Sequence, residues 1–284
     1  MTIKTDLKNF YNTEAEKYYY TRNKHRSDGY IVLDEIKKYI STTKQSTNKT
    51  ISILEFGCGW WRLIKFLDTE IQKQKLNIKI NYIWIDISTK LLDFAQKDSK
   101  KFSKNITTKF ITQDIYKYIK SYKQESIDFI IWIASFQHIP DKQERLFILK
   151  SFYKTLKYEW ELIMLNRSLS TWFIKKYKQT IKKSILKTVY TLWIHDWRNL
   201  DIPREISKIN NHWNNKLTSK KTIKHKNYYR FYHIFWIKEL TLLWKMSWFK
   251  IKESTYIDKA WHKIKTRKKS NNTLFIWQKK VFIK

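Results

Sequence analysis

The chain has 284 residues, 42% of them hydrophobic, enough to bury one substantial core as a single domain with an elaboration or as two small domains. It carries 58 Lys and Arg against 25 Asp and Glu, a formal charge of +33, and its one cysteine, Cys58, rules out an internal disulfide. No run of about 18 apolar residues is present, so no membrane-spanning helix or membrane partner is expected, and the reducing cytoplasm is the expected setting. The start, MTIKTDLKNFYN, lacks the apolar core of a signal peptide.

In chain order, residues 6–20 and 30–40 read as two helices around a polar turn, followed by the polar linker 41–50. Short apolar strands then alternate with amphipathic helices. Strands are expected at 51–56, 80–86, within 107–114, at 127–134 and at 161–166, and helices at 63–74, 89–101 and 142–156. Continuous apolar strands between helices argue for a parallel sheet covered on both faces. Residues 167–226 break this rhythm as a basic, mainly helical insertion with a turn at 201–203. The aromatic run 228–235, a helix at 237–246 and strands near 249–256 and 273–278 follow, the last two as a hairpin that finishes the sheet. The expected fold is α/β, Rossmann-like and doubly wound, with a mostly parallel seven-stranded sheet. The expected divisions are 1–50, a helical cap; 51–166, the cofactor-binding core; 167–226, the insertion; and 227–284, a part that completes the sheet.

Glycine and tryptophan usage is abnormal. At about 7% usage a chain this long holds about 20 Gly; this one has 3, with 14 Trp. Trp160 and Trp248 stand where a helix turns into a strand, and Trp61 stands in a loop that asks for glycine. The pattern fits a gene whose UGA codons are read as glycine in the cell, so that many of these tryptophans stand for glycine. An AT-rich genome also inflates lysine, so the net charge by itself supports a nucleic-acid partner only in part. Between residues 167 and 226, however, 15 Lys and Arg face 3 Asp and Glu, a net of +12.

The most informative segment is ILEFGCGWWRLIKFL, residues 53–67. A buried strand carries Glu55 near its end, a glycine-bearing loop with Gly57, Cys58 and Gly59 follows, and then a helix begins. In doubly wound folds ligands lie at the carboxyl ends of the strands. Glycine lets a ligand approach the backbone there, and the free N–H groups of the helix N-terminus favour an anion. Asp86 ends the second strand, ahead of Ile87, where a carboxylate can accept both hydroxyls of a ribose; the helix N-cap role falls to Ser88. Asp114 and Ile115 follow the third strand. Ala134, Ser135, Phe136, Gln137 and His138 follow the fourth.

These residues resemble motif I and its partners in the class I S-adenosylmethionine (SAM)-dependent methyltransferases. Glu55 matches the acidic position, Gly57 and Gly59 match two glycines of the GxGxG pattern, and Trp61 departs from it at the third. The resemblance implies SAM as cofactor, with Asp86 on the ribose, Asp114 facing the adenine amino group, Ile115 packing the ring, and the segment from Ala134 to His138 where cofactor and acceptor meet. An Asp-Pro-Pro-Tyr motif for exocyclic amines is absent, Cys58 lies in the cofactor loop and not at an acceptor, and no Cys/His cluster has metal-ligand spacing.

The segments YNTEAEKYYYTRNKHR and IASFQHI, the basic insertion and the late run YYRFYHIF resemble the tRNA wobble-uridine methyltransferases, which esterify 5-carboxymethyluridine. The resemblance implies tRNA as partner, with Arg230 holding an RNA phosphate or the acceptor carboxylate, Tyr228 to Tyr232 stacking on a base, and His138 and His233 as orienting groups. A small-molecule methyltransferase with the insertion as a lid and a non-catalytic RNA-binding protein remain open, as does a small partner subunit.

Overall fold

The protein's structure, a computed structural model, describes residues 2–21, 28–42, 49–57, 62–191, 196, 198–205, 227–258, 260 and 262–280. Cys58, Gly59 and Trp61 lie outside the described residues, as does the whole stretch 206–226, with Lys220, Lys221 and Lys224.

The chain opens with α1 (Ile3–Thr21) and α2 (Asp28–Thr42). The alternating part runs β1 (Lys49–Phe56), α3 (Arg62–Lys73), β2 (Ile78–Asp86), α4 (Thr89–Ser99), β3 (Ile106–Thr112), α5 (Ile115–Lys120), β4 (Ile127–Ile133), a 3₁₀ turn at Phe136–His138, α6 (Lys142–Thr155) and β5 (Leu156–Arg167). Then come α7 (Thr171–Lys176), α8 (Lys178–Tyr190), β6 (Asn199–Glu205), β7 (Asn227–His233), α9 (Ile237–Lys245), β8 (Lys250–Ile257), β9 (Lys263–Ile264) and β10 (Asn272–Gln278).

One sheet has the order β3-β2-β1-β4-β5-β10-β8-β9. The strands from β3 to β5 are parallel, and β10 runs antiparallel to both β5 and β8. This is the expected doubly wound sheet closed by a hairpin, with the two-residue β9 as an eighth strand. Both faces are covered because β1 alternates sides: Ile51 and Ile53 pack with residues of α1 to α4, while Leu54 and Phe56 pack with residues of α5, α6 and α9. Ser88 caps α4 by accepting the Leu91 N–H at 3.2 Å, and Asp141 caps α6 by accepting the Glu144 N–H at 2.6 Å. Among the described residues no helix is long and apolar enough to cross a membrane.

Two local readings change. The expected turn at 201–203 is part of β6, which pairs antiparallel with β7 in a separate two-stranded ribbon. Pro203 is admitted because β6 is an edge strand, where a missing N–H need break no ladder bond. A third apolar cluster, with Phe173, Ile181, Leu200, Ile202 and Tyr232, ties α7 and α8 to this ribbon. At the α6–β5 junction Trp160 is not the turn residue. Glu159 takes the left-handed backbone (φ 66°), while Trp160 packs within β5 against Tyr39 and Phe129.

Candidate active site

The parallel register brings the carboxyl ends of β1, β2, β3 and β4 side by side, with Phe56 opposite Ile85 and Trp132, and Asp86 opposite Thr112. A cavity of about 250 Å³ opens over these ends. Glu55, Gly57, Asp86, Ile87, Asp114, Ile115 and Ala134 all line it.

At the β1–β3 end Glu55 and Asp86 are buried and held, and Asp114 is half-buried. Glu55 Oε2 accepts the Tyr82 hydroxyl at 2.9 Å and the Trp84 indole N–H at 3.0 Å. Asp86 Oδ1 accepts the Ser88 N–H at 2.8 Å, which aims its carboxylate from the end of β2. Asp114 has two further engagements: Oδ1 caps α5 through the Lys117 N–H at 3.3 Å, and Lys4 from α1 lies 3.3 Å from Oδ2. Gly57 has φ +58°, and a Cβ there would meet Ser135 Cβ and Oγ at 2.4 Å. The chain therefore needs glycine both for its backbone and for its close approach to β4. Ala134, at the end of β4, also takes a left-handed φ of 57°, a strained backbone of the kind that persists where the surroundings over-determine it.

The other end of the cavity is roofed by α1 and β7. His138 is fixed on both ring nitrogens: Nδ1 lies 2.6 Å from the Phe231 carbonyl and Nε2 lies 3.1 Å from the Tyr11 hydroxyl. The carbonyl can only accept, so Nδ1 carries the proton and Nε2 accepts from Tyr11. Burial, helped by the nearby Arg230 charge, pushes the imidazole pKa down to about 3, so His138 is neutral. Burial likewise pushes the Tyr11 phenol up. Neither group is poised to take a proton near neutral pH.

A methyltransferase-domain profile matches residues 47–232, more than half of the chain. The chain belongs to the methyltransferase-domain family.

The methyltransferase matches no functionally curated protein. Its fold is shared with a SAM-dependent methyltransferase from Clostridium acetobutylicum, at 14% identity and a TM-score of 0.59, over 96% of this chain and 100% of that one. A SAM-dependent methyltransferase from Methanosarcina mazei gives 17% identity and a TM-score of 0.56, over 86% and 98%. The 1,6-didemethyltoxoflavin-N1-methyltransferase of Burkholderia thailandensis, solved with its substrate and S-adenosylhomocysteine, gives 8% and 0.54, over 98% and 88%.

Within this methyltransferase the structure brings together His138, Arg230 and the described cofactor-loop residues, but it separates His233 from them. His233 is absent from the cavity lining. It is clamped between Asn199 Oδ1 at 2.6 Å and Glu239 Oε1 at 2.8 Å, and Glu239 also pairs with Arg198. Adjacent strand residues point to opposite faces, so Tyr232 faces the cavity and His233 faces α9. Sequence reasoning also missed the contribution of α1, which places Lys4, Leu7, Tyr11 and Tyr18 in the lining. The tyrosine density of YNTEAEKYYYT was the available signal, but only the docking of α1 on β7 and α4 tells which rings face inward.

Proposed function

We propose that the chain is a SAM-dependent methyltransferase that acts in the cytoplasm on a modified uridine of tRNA. The observation that carries the cofactor reading is one cavity in which Asp86, Gly57 and Ile115 stand at adjacent strand ends. These residues fit the cofactor. The Asp86 carboxylate suits a ribose diol, Gly57 lets the ligand approach the chain, and Ile115 offers an apolar wall to a base. When bound, SAM supplies an electrophilic methyl group on a sulfonium sulfur. The chain's own part is to orient and to exclude water: α1 covers the cavity, and the fixed ring of His138 shapes the end where an acceptor enters. Among the described residues no side chain at that end is set to take a proton from the acceptor, so an acceptor that arrives already as a competent nucleophile suits the site.

The tRNA reading rests on the net +12 of residues 167–226 and the aromatic run of β7. A small-molecule acceptor is the second reading, favoured by the roofing of the cavity by α1. Labelled SAM offered with total tRNA and with a metabolite extract separates them. The first reading expects label in tRNA and binding that falls steeply with salt. It also expects that neutralising Lys220, Lys221 and Lys224 lowers the salt slope. Label in the extract alone would overturn it.

The reading of many tryptophans as glycine belongs here too. Trp248 has φ 66°, a backbone that favours glycine. The buried indole N–H groups of Trp132 and Trp277 have no hydrogen-bond partner, whereas buried indoles ordinarily find one. Mass spectrometry of the native protein should find glycine at Trp248, and Trp61→Gly should improve SAM binding. Tryptophan in the native peptides would overturn the reading.

A further inference from the structure

Two arginines of the molecule are equally buried, each 4% exposed, and they are treated differently. Arg145 donates from Nη1 to the carbonyls of Ile139 at 2.8 Å and Pro140 at 3.2 Å; its Nε also has no hydrogen-bond partner, but it does not line the cavity, so no ligand can reach it there. Arg230 does line the cavity. Its Nη1 reaches the Tyr18 hydroxyl at 3.3 Å, while its Nε has no hydrogen-bond partner. The rings of Phe10 and Tyr232 lie against it, with centroids 5.1 Å from the guanidinium carbon. No carboxylate among the described side chains pairs with it. Burial works against its charge, yet with three tyrosines beside it its pKa is raised, and a guanidinium keeps its proton at any physiological pH, so the cation persists. A buried cation without a counter-charge is expensive, and one that faces a cavity can be completed by an anionic ligand.

We propose that Arg230 is an oxyanion site of the cavity, one that takes a carboxylate. The unpaired Nε–H lies on the guanidinium edge, where a planar carboxylate bonds in a fork. The aromatic neighbours hold the guanidinium in place without neutralising it. A backbone phosphodiester fits poorly, because its two flanking sugars would have to follow it into a cavity of about 250 Å³. A carboxylate at the end of a small group enters alone. Resting on the SAM reading, two sources supply it: the amino-acid carboxylate of the cofactor, or a carboxylate on the acceptor.

Calorimetry tests the site and separates the sources. S-adenosylhomocysteine and 5′-methylthioadenosine, which lacks the amino-acid part, are titrated into wild type, Arg230→Met and Arg230→Lys. Acetate is then titrated, at constant ionic strength, into each protein saturated with S-adenosylhomocysteine. If the cofactor supplies the carboxylate, wild type prefers S-adenosylhomocysteine, and Arg230→Met reduces that preference at least tenfold without weakening 5′-methylthioadenosine. If the acceptor supplies it, the preference is the same in all three proteins, while saturated wild type binds acetate and Arg230→Met does not. Either result supports the proposal. An unchanged preference together with no Arg230-dependent acetate binding overturns it. Should Arg230→Met fail to fold, Arg230→Lys and the acetate titration of wild type decide. Failure of both adenosine compounds to bind wild type counts against the cofactor reading instead, and acetate titrated into the free protein still tests Arg230.

Discussion

At the β1–β3 end of the cavity the buried charges are carboxylates with donors already in place; at the α1–β7 end the buried charge is a cation, Arg230, with one N–H unused. The first end draws its residues from strand termini whose positions follow from sheet register. The second draws them from a helix and a ribbon that meet only in the folded chain. Rigidity therefore sits at the strand ends, and the unfinished charge sits where the helix and the ribbon meet.

The largest expected effect comes from crowding the rigid end. Gly57→Ala forces a left-handed alanine, at roughly 1–2 kcal/mol. It also drives a methyl to 2.4 Å from Ser135, which adds roughly 1–3 kcal/mol of overpacking. Thermal unfolding should show a fall in stability of about 2–5 kcal/mol, and Ser135→Gly on top should recover the overpacking part alone. No recovery would mean that backbone conformation is the whole effect.

Asp86→Ala ranks second. It removes the carboxylate offered to the ribose and should weaken SAM about tenfold by calorimetry, from roughly 1–3 kcal/mol of lost hydrogen bonding. Its melting temperature is the control, because the Ser88 N–H also loses its acceptor. Lys4→Ala should matter less. Lys4 pairs with Asp114 and Glu144, but its side chain is 38% exposed, so the stability change should stay below about 1 kcal/mol. A larger change would mean that α1 is latched to the core through this residue.

The smallest expected effect is a null one. With its pKa pushed down to about 3, His138 stays neutral from pH 6 to 8. The rate of methyl transfer should therefore show no histidine step in that range. A step near the ordinary histidine value that vanishes in His138→Gln would show that the acceptor end is wetter than the structure makes it.

The two ends also differed in how far the sequence exposed them. The strand, glycine and acidic residue of 53–59, Asp86 at its strand end and Ser88 as N-cap were legible because each has a local signature. Local signatures do not distinguish His138 from His233. Both are histidines in apolar segments, and only tertiary packing puts one in the cavity and the other between Asn199 and Glu239. β6 was hidden by Pro203, a residue that usually marks a turn, and the roles of Lys4, Tyr11 and Tyr18 were hidden because a helix does not announce what it will cover. Arg230 was legible as a candidate, but its missing counter-charge was not, since that is a property of what surrounds it.

The central claim is that the cavity at the ends of β1 to β4 binds SAM, and direct titration tests it. Calorimetry of wild type with S-adenosylhomocysteine should give one site per chain, about tenfold weaker in Asp86→Ala. Absence of binding to wild type and to Trp61→Gly alike, or equal affinity with and without the Asp86 carboxylate, would contradict it.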